Sequence, residues 1–143
     1  MTKECMVSVK NVQTILDGNV KDVIEIKEPG TFYEKAGHYY VVYDEEDKDL
    51  NQSVKNILKF SDNFLELMKS GHISSHMVFQ TGASHSFYYR TPYGEFAITV
   101  HTEEYSISEN EKSISIVVKY NMEMDQLPYA ICEIEIQIDS VST

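Results

Sequence analysis

Apolar and polar residues alternate with period two along most of the chain. In SISIVVKYNMEM, Ile114, Ile116, Val118, Tyr120, Met122 and Met124 fall on one face. In YAICEIEIQID, Cys132, Ile134, Ile136 and Ile138 face one way, and Glu133, Glu135, Gln137 and Asp139 face the other. In EFAITVHTE, Phe96, Ile98, Val100 and Thr102 share a face opposite Ala97, Thr99, His101 and Glu103. Successive side chains of a strand point to opposite sides. The pattern therefore predicts antiparallel strands with one packed face and one wet face.

The earlier part of the chain reads the same way. The run to Ile15 predicts a strand, and Asp17-Gly18-Asn19 turns it. Residues 21–34 and 37–46 read as two strands around a Lys35-Ala36-Gly37 turn, and residues 72–80 as another, ending at Thr81-Gly82. One segment resists. In SVKNILKFSDNFLELMKSG, Val54, Ile57, Leu58, Leu65 and Met68 recur at helical spacing, with Ser53 and Gly71 placed to cap the ends. The rival reading is two strands that turn at Ser61-Asp62-Asn63. No repeat, low-complexity stretch or linker interrupts the chain, so residues 1–143 read as one domain. The tally is about 8–10 strands with short connections. Closing such a sheet removes its edges, so the expected fold class is all-β, a closed or nearly closed antiparallel barrel.

Composition narrows the function classes. The net charge of −11 opposes binding to phosphate backbones and to anionic lipid, so neither nucleic acid nor membrane is expected as a partner. The start, MTKECMVSVK, lacks the apolar run of a secretory signal, and no apolar stretch approaches the length of a membrane helix. Two cysteines near opposite ends, Cys5 and Cys132, make no disulfide framework and fit a reducing cytoplasm.

Several stretches together resemble the bacterial DUF1934 family of uncharacterised β-barrel proteins with a calycin-type, lipocalin-like fold. Glu25, Gly30, Tyr33, Lys35 and Gly37 look like that family's second strand and first hairpin. Tyr39, Tyr43 and Glu45 resemble its tyrosine-rich third strand, and Met77-Val78-Phe79 with Gly82 its methionine-phenylalanine-glycine segment. Tyr89, Thr91, Pro92 and Gly94 match its most recognisable motif. The resemblance covers most of the chain and is weakest over residues 53–69. It implies two strands there, against the helical spacing. It also implies a barrel able to hold a small ligand, although fold alone does not assign function.

The stretch SHSFYYRTPYGEFAITVHTEEY carries the candidate chemistry. Thr91-Pro92-Tyr93-Gly94 fits a type I turn, with proline at the second position and glycine at the fourth. If Gly94 is left-handed, the loop has three residues and a bulge, and Thr91 pairs with Glu95. That register sets Arg90 opposite Phe96 and Tyr88 opposite Ile98, all on the inward apolar face. Arg90 at the barrel mouth would then anchor a carboxylate or phosphate, with Tyr88, Phe96 and Ile98 completing the candidate ligand site. The plainer reading is a strand-end arginine that meets water or one of the chain's 23 acids. The same register pairs His85 with His101 on the outer face, where no third metal ligand is evident.

Other motifs yield less. His72 and His76 on a strand would share a face but lie about 13 Å apart, too far for one metal. The acidic run from Asp44 to Asp49 lacks the glycine and terminal glutamate of a calcium loop. No phosphate loop, zinc spacing or nucleophile elbow occurs. No cofactor is expected. Cys132 falls on the apolar face and reads as a core residue. Half-buried strand surfaces account for the ten tyrosines, which also suit a ligand pocket. The leading expectation is a non-enzymatic cytoplasmic barrel binding a small, partly apolar anionic ligand. The alternatives are a protein-interaction or homodimer module, and an enzyme acting on a small metabolite through a histidine such as His101.

Overall fold

A computed structural model describes residues 2–47 and 51–141. Ten strands form it: β1 (Thr2–Ile15), β2 (Val20–Lys35), β3 (His38–Asp47), β4 (Gln52–Phe60), β5 (Leu65–Ser70), β6 (Ser75–Phe79), β7 (Ser84–Thr91), β8 (Gly94–Glu109), β9 (Ser113–Met124) and β10 (Leu127–Ser140). They lie in one antiparallel sheet in the order β6-β5-β4-β3-β2-β1-β10-β9-β8-β7. The chain thus runs as two meanders, joined where the first strand pairs with the last. The sheet curls until β6 approaches β7, and a two-way backbone bridge between Ser74 and Arg90 fastens the seam, each bond 2.9 Å. The result is the nearly closed antiparallel barrel that the alternation predicts, of the calycin-like kind that the family resemblance implies.

Residues 53–71 form β4 and β5, as the resemblance implies and contrary to the helical spacing. Tertiary pairing decides the matter: Ile57 sits opposite Met68 on the outer face, and Leu58 opposite Leu67 on the inner face. Ser61 N–H closes the turn on Phe64 O at 3.0 Å. β6 is shorter than the 72–80 reading, because the chain bends through residues 71–73 and Ser74 bridges to Arg90 before the β5–β6 ladder begins. The bend depends on Gly71, whose φ of +148° is costly for other residues. A β-carbon there would stand 2.9 Å from Ser53 O.

The period-two pattern places the core. Val7, Val41, Leu58, Phe60, Leu65, Phe79, Val100, Ile116, Val118 and Tyr120 are almost fully buried in one half of the barrel. There Phe79 packs on Tyr120 with centroids 4.8 Å apart, and Tyr39 bridges Phe32 and Phe60. Each such side chain stabilises by roughly 1.5–3 kcal/mol, so this half carries most of the fold's stability. A bulge at Glu103 alters the inward parity of β8: Thr102 is buried, and beyond the bulge Tyr105 turns in. Tyr105 then donates its hydroxyl to Ser61 O at 2.7 Å, tying β8 to the β4–β5 turn. Cys5 and Cys132 are both buried free thiols, opposite Ser140 and Gln13 at the two ends of the β1–β10 ladder.

Candidate functional site

The β7–β8 hairpin differs from the sequence expectation by one residue. Thr91 pairs with Gly94, leaving Pro92 and Tyr93 as a two-residue connection. The Thr91 hydroxyl accepts from Tyr93 N–H at 3.1 Å and donates to Gly94 O at 3.2 Å, which closes the turn locally. Gly94 takes φ +144°, not the left-handed helical conformation that a three-residue loop with a bulge needs. A slip of one residue exchanges the two faces of a strand. Tyr88 and Arg90 therefore point outward. Tyr88 is 60% exposed, and the Arg90 side chain is 66% exposed with Nε 3.0 Å from Glu95 Oε2. Phe96 and Ile98 do face inward, opposite Tyr89 and Phe87. His85 lies opposite Val100 and His101 opposite Ser84, so the two histidines are not a cross-strand pair.

The packed core fills only part of the lumen. Toward the end that holds the β1–β2, β5–β6, β7–β8 and β9–β10 connections, the barrel opens into a cup of about 430 Å³. Ile98, Met122 and Ile134 line it from β8, β9 and β10, Val9 and Ile26 from β1 and β2, and Leu67, Met77 and Phe87 from β5, β6 and β7. Met124 and Tyr129, flanking the β9–β10 turn, complete the wall. A volume of this size, with apolar walls and few polar groups, has the character of a small-molecule site.

Charged residues enter the cup at two positions among the described residues, Lys69 and Glu45. Both continue the inward parity of their strands, Leu65-Leu67-Lys69 and Val41-Tyr43-Glu45. Lys69 Nζ lies 2.9 Å from Glu45 Oε1 and donates to Asn56 Oδ1 at 2.8 Å. Asn56 is fully buried. Its Nδ2 donates to Val54 O at 3.2 Å and to Glu45 Oε1 at 3.3 Å. The amide thus fixes both ends of the ion pair from below. Tyr43 and Tyr89 line the same wall. Burial, then the Glu45 carboxylate, pushes both phenols above their ordinary range, so both remain hydroxyl donors. Sequence reasoning missed Lys69 and Asn56 as site residues, and it met Glu45 only in the family likeness and in the acidic run. The signal that would have found them was a polar residue at an inward position of an otherwise apolar stripe.

Histidines lie outside the cup's lining. His101 sits on the outer wall, with Nδ1 2.5 Å from Ser84 Oγ and Nε2 against Glu123. His76 faces out beside Glu66, with its Nε2 3.6 Å from Oε2, while His72 precedes the strand in the bend. Among the described residues no three His, Cys, Asp or Glu side chains are grouped to hold a metal ion. Of the acidic run, Asp44 is exposed and Glu45 enters the cup, while Lys48 and Asp49 lie outside the described residues.

Comparison with known proteins agrees with this architecture. The model of a domain of unknown function, DUF1934, matches residues 7–136. The uncharacterized β-barrel protein YwiB of Bacillus subtilis (strain 168) is 30% identical over 122 residues, which span 85% of this chain and 84% of that protein. The crystal structure of the YwiB protein from Bacillus subtilis superposes with a TM-score of 0.83 at 28% identity, covering 99% of this chain and 94% of the other. The chain belongs to the DUF1934 family of β-barrel proteins, whose function is unknown.

Proposed function

We propose that this chain is a non-enzymatic binding barrel that holds a small, partly apolar ligand in the cup. The observation that carries the reading is the half-filled lumen. One half is densely packed around Phe60, Phe79 and Tyr120, and the other opens into about 430 Å³ of mostly apolar space with one organised polar cluster. A barrel that served only as a scaffold would gain by filling that space, since each buried methylene stabilises by roughly 0.8 kcal/mol. Ile98 lines the cup, while Phe96 faces inward and packs against the core without lining it. Arg90 and Tyr88 leave this proposal because they point to solvent, and Lys69 is the cation within reach of a bound molecule. Two buried free thiols are in keeping with a cytoplasmic setting.

The test is native mass spectrometry of the protein purified gently from its own host, repeated after denaturation. The expected result is an adduct that survives gentle ionisation and leaves on unfolding. A clean apoprotein mass, with no small molecule extracted from the denatured sample, would remove the reading.

A second reading has its own observation. On the outer face, Val23 and Ile131 are exposed on strands that flank β1, and Leu16, Val20 and Leu127 are exposed near the mouth. Self-association through these residues would make the barrel a homo-oligomer module. Light scattering across a concentration series decides it: a monomer at every concentration ends this reading.

A further inference from the structure

Resting on the binding-barrel reading, we infer that the cup selects an uncharged ligand whose head presents a hydrogen-bond acceptor beside a donor, such as a carboxamide or cyclic amide, in preference to a carboxylate or phosphate. Lys69 and Glu45 are the charged side chains lining the cup among the described residues, and they neutralise each other at 2.9 Å. An anion placed against Lys69 would lie almost as close to Glu45. Attraction and repulsion would then nearly cancel, leaving the cost of stripping water from the anion uncompensated.

The unspent hydrogen-bonding capacity points the same way. An ammonium has three N–H donors, and Lys69 uses two, on Glu45 Oε1 and Asn56 Oδ1. Glu45 receives Lys69 and Asn56 on Oε1, which leaves Oε2 free among the described residues. One charged donor and one charged acceptor therefore stand side by side at the wall of an apolar cup, both partly exposed to it. An amide meets this pair with its carbonyl oxygen on Lys69 and its N–H on Glu45. A carboxylate satisfies the lysine and opposes the glutamate. Asn56, fully buried and tied to Val54 O, holds the pair in place before any ligand arrives. This preorganisation reduces the cost of ordering the site on binding.

The test uses two probes that share an aromatic body and differ in the head, 1-naphthamide and 1-naphthoate. Both are titrated near neutral pH into the wild-type protein, Glu45→Gln and Met124→Trp, with the fold of each variant checked by circular dichroism. The wild type should bind the amide at least about tenfold more tightly than the carboxylate, a difference worth about 1.4 kcal/mol. Glu45→Gln, which leaves Lys69 unopposed, should erase or reverse that preference by tightening naphthoate. Met124→Trp, which fills the mouth, should weaken both probes. If the wild type binds naphthoate as tightly as naphthamide, and Met124→Trp weakens both, the headgroup inference is wrong while the cup remains a site. If neither probe binds the wild type, or Met124→Trp leaves binding unchanged, the cup reading fails and the headgroup inference fails with it.

Discussion

At the scale of single residues, the polar cluster sets a half-buried ion pair on a fully buried amide. Asn56 is a fully buried amide whose oxygen and nitrogen both have partners. Asn56→Ala should leave Lys69 and Glu45 without their support and lower stability by about 2–3 kcal/mol, measured by urea unfolding. The buried acids make a second prediction. Burial pushes the Cys132 thiol up to about 11, and it pushes the Tyr43 and Tyr120 phenols above their ordinary range. These groups ionise more easily in the unfolded chain than in the fold. Their stabilising contribution is therefore full below the ordinary thiol and phenol values and declines as pH rises toward the folded ones. The urea midpoint should fall as pH is raised from about 8 to about 10.5. Over the same range Cys132 should react with alkylating reagents only as fast as the protein opens, which thiol labelling followed by peptide mapping would measure.

At the scale of elements, turns decide which residues reach the lumen. Gly71 combines a positive φ with a close approach to the backbone of β4, so Gly71→Val should destabilise by about 2–3 kcal/mol in the same unfolding measurement. The sequence made the strands themselves legible where alternation was strict. The inward stripes of β9 and β10 are Ile114 to Met122 and Ala130 to Ile138, the faces that periodicity separates. It could not separate the two registers of β7. Thr91-Pro92-Tyr93-Gly94 suits both a two-residue and a three-residue connection, and the choice rests on the Thr91 hydroxyl and the φ of Gly94. That single choice moved Arg90 and Tyr88 from the lumen to solvent. Helical spacing in residues 53–71 misled for a related reason. Ile57 and Met68 are outer-face partners, and a local pattern cannot see a pairing between strands. Lys69 and Asn56 were hidden because a lysine and an asparagine among strands normally mark the wet face. Here each sits in phase with leucines that face inward.

At the scale of the whole molecule, the barrel divides its labour along its axis. The end that holds Phe60, Leu65 and Phe79 is packed and carries the stability, while the end that holds Met122, Met124 and Phe87 leaves room for a guest. The net charge of −11 lies on a shell that repels anions at long range, in keeping with a neutral guest. Methionines report on this division directly. Met77, Met122 and Met124 line the cup, whereas Met6 and Met68 lie on strand positions that face away from it. The most direct measurement is a carbon-13 methyl-methionine spectrum recorded while 1-naphthamide is titrated into the protein. The expected result is that the Met77, Met122 and Met124 methyl signals shift together and saturate, with Met6 and Met68 unmoved. Shifts confined to Met6 and Met68, or no saturable shift at all, would contradict the claim that the open end of this barrel is a binding site.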